Sequence, residues 1–140
     1  MLGSPPAYSM ACAASVGAKV GIFSCIGSDY PDRLLEPMER LGVDLQGVQR
    51  RGDSSTNNLL TYAPDGSKTI EYLSRALLLE AKDFPDAYQS AKAIYVCPMD
   101  WDISVDSVEK LAKHPGLLGC DLGGFGGAHS PPAKLPQMES

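Results

Sequence analysis

The residues of this sequence whose types and spacing could do chemistry gather where runs of apolar residues stop. Gly3-Ser4-Pro5-Pro6 leads into an Ala-rich run. The amino end of a helix there would present unpaired backbone N–H groups beside Gly3 and Ser4, a geometry for binding hydroxyl or anionic oxygens. Gly27-Ser28-Asp29 closes an apolar, β-branched run, and Ser55-Thr56-Asn57 precedes another. Asp100 and Asp102 flank Trp101 just beyond a third run, and Asp121 ends a fourth. Paired acids can serve catalysis, but Asp at this position more often caps a helix, so Asp100 and Asp102 read as a cap and a solvated acid. The glycine run from Gly123 to Gly127 lacks the Lys-Ser/Thr that follows in a phosphate-binding loop, and reads as a linker. His129 stands in Gly/Pro-rich sequence without the partners of a hydrolase triad.

These groups need elements to position them. A helix is expected over Pro5 to Val16, with Pro in its first turn and Gly17 as a left-handed C-cap. Lys19 to Ile26 reads as a buried strand. Ser28 or Asp29 can cap a helix starting near Pro31, with Leu34, Leu35, Met38 and Leu41 at helical spacing, a kink at Pro37 and a stop at Gly42. A strand near Val48 to Arg50 is followed by a hairpin, Asn58 to Ala63 and Lys68 to Leu73, turned by Pro64-Asp65-Gly66-Ser67. Asp83 to Ala91 reads as a short helix and Ala93 to Cys97 as a buried strand. A helix capped by Asp102 or Ser104 carries Val105, Val108, Leu111 and Ala112, and Leu117 to Asp121 is the last strand. Strands alternating with helices favour a parallel sheet, whose ligands collect at the carboxyl ends of the strands. Those ends are Gly27 to Asp29, Pro98 to Asp100, and Asp121 to Gly124.

The run from Gly3 through Gly27-Ser28-Asp29 to Leu41-Gly42-Val43-Asp44 resembles the amino-terminal signature of the ribokinase-like, PfkB-type carbohydrate kinases. Gly17 and Gly27 keep that family's nine-residue interval, Leu2 stands where a Gly-Gly pair would begin, and Tyr8 takes the position of a sugar-binding Asn. Ser55-Thr56-Asn57 stands where the family often has Ser-Thr-Gly at the start of a β-sheet lid. The resemblance implies a three-layer, Rossmann-like α/β fold with a small β-hairpin lid, here a partial domain over residues 1–128 with the lid at about 46–75. Residues 129–140 are expected to form a Pro-rich flexible tail.

The implied function is the substrate-binding and lid half of an ATP-dependent carbohydrate or nucleoside kinase. Substrate contacts are expected at Gly3, Ser4, Tyr8, Asp29, Thr56, Asn57 and Asp121. The family uses ATP and Mg²⁺, but the Gly-Ala-Gly-Asp turn that carries its catalytic Asp is not reproduced here. No catalytic, nucleotide-binding or metal-binding residue is therefore expected within this chain, which should be inactive alone. The alternative is a non-catalytic binding module whose lid hairpin pairs edge to edge with a second copy, a homodimer through the lid.

Composition fits these expectations. The chain has 140 residues, 44% of them hydrophobic, enough for one globular domain with a core. A formal net charge of −5 argues against nucleic-acid and anionic-membrane surfaces. No apolar run approaches a membrane span and no signal sequence opens the chain, so the expected location is the cytoplasm. Cysteines 12, 25, 97 and 120 form no Cys-x-x-Cys pair and read as reduced core residues.

Overall fold

A computed structural model describes residues 4–121. Helix α1 spans Pro5–Ser15, capped at its start by Ser4, whose Oγ accepts from the Ala7 N–H at 3.4 Å. It ends as the sequence implies. Gly17 adopts φ +87°, its N–H reaches the Ala14 carbonyl at 2.9 Å, and the Ala18 N–H reaches Ala13 at 3.0 Å, a Schellman stop.

The expected strand from Lys19 to Ile26 enters a regular ladder only as β1, Ser24–Ile26, paired in parallel with β2, Val48–Arg50. Upstream of it Asp44 N–H donates to the Val20 carbonyl and Ile22 N–H to the Asp44 carbonyl, each at 2.9 Å, before the ladder resumes with Ser24 N–H on Gly47 at 3.1 Å. Between Asp44 and Gly47 the partner chain takes a turn, closed by Val48 N–H on Leu45 at 2.9 Å, and this interrupts the register. The strand at Val48–Arg50 thus extends the β1 ladder and does not pair with the hairpin that follows it.

Two expected helices are broken. In place of one kinked helix from Pro31, a 3₁₀ turn over Asp32–Leu34 gives way at Leu35 to α2, Glu36–Arg40, with Pro37 in its first turn. Proline is tolerated there because the first N–H groups of a helix have no internal partner. The helix expected over Asp83 to Ala91 resolves into 3₁₀ turns at Ala81–Asp83 and Asp86–Tyr88, since Pro85 holds an extended ψ of 136° between them.

The hairpin forms as read: β3, Asn57–Tyr62, runs antiparallel to β4, Lys68–Ser74. Gly66 supplies φ +83° at the turn, and Ser67 N–H donates to Asp65 Oδ1 at 2.9 Å. Beyond it β5, Ala93–Val96, pairs in parallel with β6, Leu117–Cys120, across α3, Val105–Leu111, which Ser104 caps through the Ser107 N–H at 3.1 Å.

The core has two parts. Leu79, Val96, Ile103 and Leu111 are buried together, with Phe23 and Cys25 of the β1 region and Cys120 of β6 packed against them. Ile22, Met38 and Val43 form the second cluster, covered by Met10, Ala11 and Ala14 of α1. The slim face of α1 is what lets it approach this closely. The cysteines are free thiols, but none is fully buried: Cys12 on α1 is exposed, and Cys25 of β1, Cys97 just past β5 and Cys120 of β6 are half-buried.

Candidate functional site

The loops that leave β1 and β5 both meet the root of the hairpin. After β1, Gly27 lies so close to the Ser54 backbone that a Cβ at this position would stand 2.3 Å from the Ser54 carbonyl carbon. Asp29 Oδ1 accepts from the Ser55 N–H at 2.8 Å and from the Ser55 hydroxyl at 2.7 Å, and Ser55 Oγ in turn accepts from the Gly27 N–H at 2.9 Å. After β5, the Asp100 carboxylate pairs with Arg75 at the exit of β4. The guanidinium of Arg75 also lies 4.2 Å over the Tyr72 ring. At the base of the hairpin Ala76 N–H donates to Thr56 Oγ1 at 3.1 Å and Ser74 Oγ to the Ser55 carbonyl at 2.7 Å.

A third segment reaches the same side of the molecule. Ser9 of α1 lies beside the Cys97 thiol just past β5, and Asp121, whose N–H donates to the Val96 carbonyl at 2.9 Å, lies within electrostatic range of Cys97 and Cys120. Burial pushes the Cys97 thiol up, with contributions from Asp121 in the same direction and the polar side chains of Tyr95 and Ser9 opposing. Burial likewise raises Cys120. Both stay protonated thiols, which speaks against a nucleophilic cysteine.

The expected site residues separate into groups. Asp29 and Thr56 come together at the hairpin root, with exposed Asn57 next to them. Asp29 holds the loop, and one of its oxygens is committed to Ser55. Ser4 caps α1 and Tyr8 on the same helix is 64% exposed, its phenol open to solvent. Asp121 ends β6 on the side of Cys97, and Gly3 lies outside the described residues, as do the glycine run and His129.

Two acids differ from their sequence reading. Asp100 is no solvated acid, its side chain being 5% exposed against Arg75. Asp102 does not cap α3; its Oδ1 accepts from the Met99 N–H at 2.9 Å, and burial raises its carboxyl to about 6. Sequence reasoning overlooked Ser55 as a junction and Arg75 altogether. The signal for Arg75 was a lone cation directly after the polar end of a β-run, which the pattern by itself does not pair with anything.

Among the described residues no group of three His, Cys, Asp or Glu could hold a metal ion, and no helix is long and apolar enough to cross a membrane. No family model matches the sequence. The chain is 29% identical over 100 residues to a cytidine kinase from Thermococcus kodakarensis, covering 71% of this chain and 36% of that protein. Among solved structures it is similar to a fructokinase from Xylella fastidiosa with bound ATP, at TM-score 0.57 and 24% identity over 68% of this chain and 32% of that one. It is also similar to a ribokinase from Cryptococcus neoformans in complex with ADP, at TM-score 0.63 and 17% identity over 83% and 38%. A fructokinase from Vibrio cholerae matches at TM-score 0.62 and 17% identity over 85% and 44%. The chain therefore has the ribokinase-like α/β fold in part, spanning about a third of the curated relative.

Proposed function

We propose that this chain is the substrate-binding and lid half of an ATP-dependent carbohydrate or nucleoside kinase acting in the cytoplasm. The observation that carries this reading is the attachment of β3 and β4 by their root to the loops leaving β1 and β5. A hairpin held there stands over the carboxyl ends of parallel strands, where ligands of α/β sheets collect. The relatives, sugar kinases by structure and a cytidine kinase by sequence, support a polyhydroxylated sugar or nucleoside as the substrate class.

In the whole enzyme the γ-phosphoryl of ATP passes to a substrate hydroxyl, a reaction governed by positioning and charge stabilisation. Ser4 at the cap of α1 and Tyr8 within that helix meet the substrate, as does Gly3, which lies outside the described residues; Thr56 and Asn57 close on it from the lid, and Asp121 borders the cleft from β6. Asp29 keeps the loop between them in place. The described residues offer no cluster fitted to Mg²⁺, so no step is assigned to the metal here. Calorimetric titration of the chain with fructose, ribose and cytidine tests the reading: saturable binding of one of them supports it, and no binding by a chain shown to be folded defeats it. Turnover of ATP by this chain alone over the same compounds would overturn its assignment as a half-site.

A second reading, a non-catalytic module that dimerises through the lid, is favoured by the exposure of Leu59, Leu60, Tyr62 and Leu73 on the hairpin. Sedimentation equilibrium distinguishes it: a dimer dispersed by Leu60→Asp supports this reading, and a monomer at high micromolar concentration removes it.

A further inference from the structure

We propose that Ser55 is a positioning residue that locks the root of the hairpin to the loop after β1, so that the lid and the Gly27 to Asp29 loop move as one unit. Its functional meaning rests on the lid reading above; the coupling itself does not.

Ser55 is 8% exposed, and each of its polar groups is taken. Its hydroxyl accepts from the Gly27 N–H and donates to Asp29, its N–H donates to the same carboxylate oxygen, and its carbonyl accepts from the Ser74 hydroxyl. One residue thus joins the exit of β1, the loop beyond it and the far strand of the hairpin. Only a side chain that donates and accepts at once can satisfy both Gly27 and Asp29. Removing the hydroxyl leaves the buried Gly27 N–H unpaired and halves the donors to Asp29, so the loop and the lid lose the same constraint in a single step. The absence of a Cβ at Gly27 completes the junction by letting the two backbones touch.

The test is amide hydrogen exchange of the full chain, followed by mass spectrometry of its peptides. Ser55→Ala should speed exchange at least tenfold in both residues 24–30 and residues 68–76, while residues 93–97 and 117–120 stay as they were. Ser54→Ala, at an exposed neighbour, should change neither. Asp29→Ala should reproduce the Ser55→Ala pattern, the double variant should add little to either, and Asp29→Asn, which keeps the accepting oxygen, should restore most of the protection. That rescue is what a merely structural loss of a surface charge would not show. Faster exchange confined to residues 53–57, or spread equally over β5 and β6, overturns the proposal, as does Asp29→Asn behaving like Asp29→Ala. If Ser55→Ala does not fold, the two Asp29 variants carry the same comparison. Failure of sugars or nucleosides to bind would leave this coupling standing, and absence of coupling would leave the kinase reading standing.

Discussion

Arg75 and Asp100 form an ion pair that ties the exit of the hairpin to the loop after β5, with the carboxylate side chain 5% exposed and the guanidinium side chain 45% exposed. Asp100 and Trp101 both hold left-handed backbone, at φ 52° and 62°. Consecutive non-glycine residues in this region cost about 1 kcal/mol or more each, so contacts made by the loop must hold it. Arg75 is the charged member of those contacts and adds a hydrogen bond of 3.4 Å to the Asp100 carbonyl.

Arg75→Met should therefore destabilise the chain by about 2 kcal/mol, because a carboxylate this buried loses its counter-charge, with part of the loss offset by solvent at the exposed end. Arg40→Met, which breaks the surface pair between Arg40 and Glu36, should cost less than about 0.5 kcal/mol. Urea unfolding of both variants measures the difference. Equal midpoints would mean that Asp100 is hydrated in solution and that the pair does not hold the loop.

Asp102 sets a pH dependence. Burial raises its carboxyl from 3.8 to about 6, against the opposing hydrogen bond from Met99. A folded-state value above the unfolded one means that the native chain retains a proton which the unfolded chain releases between these two values. This contribution is greatest below pH 4, falls as pH rises through the window up to about 6, and is lost above it, a change on the order of 3 kcal/mol. Asp102→Asn, which keeps the oxygen that accepts from Met99, should flatten this slope. Urea midpoints at pH 4.5 and 7.5 give the answer, and an unchanged slope in the variant would remove Asp102 as its source.

The parts of the fold legible in sequence are those fixed by local chemistry. Gly17 and Gly42 announced helix stops and adopt the left-handed backbone that such stops need, and Asp65-Gly66 announced the hairpin turn. The capping role of Ser104 was equally local. What escaped was decided by distant partners. Leu34 and Leu35 have helical spacing, yet the chain re-enters a helix only after Leu35. Cys25 looked like a buried strand residue, but it is only half-buried, at the margin of the Leu79 cluster. At the site, Asp29 and Thr56 were legible as polar groups at strand ends, whereas their commitment to Ser55 and Ala76 depends on contacts between positions 26 and 20 residues apart.

Glycines that look alike in sequence should respond differently to a methyl group. Gly17→Ala meets nothing within 4 Å and incurs only the left-handed backbone penalty, about 1 kcal/mol. Gly27→Ala would drive Cβ into the Ser54 backbone, which cannot turn aside as a side chain can, so a loss of about 3 kcal/mol or failure to fold is expected. Thermal unfolding ranks the two. Similar melting temperatures would show that the approach of Ser54 to Gly27 relaxes without cost.

Tyr88 closes the turn that interrupts the β1 to β2 ladder. Its hydroxyl accepts from the Gly47 N–H at 3.3 Å and donates to the Asp44 carbonyl at 3.1 Å, the two ends of that turn. Burial raises the phenol, so it remains a donor at neutral pH. Its ring also fills the space beside Gly21, where a Cβ would stand 2.6 Å from a ring carbon. Tyr88→Phe should cost about 1 kcal/mol by leaving Gly47 unpaired, and Tyr88→Ala about 3 kcal/mol by opening a cavity as well. Gly21→Ala should be costly beside the intact ring and nearly free once Tyr88→Ala has made room, so the double variant should lie well short of the sum of the two singles. Additive losses in urea unfolding would mean that the ring and Gly21 do not share this space, and no loss from Tyr88→Phe would mean that the turn is held by its backbone alone.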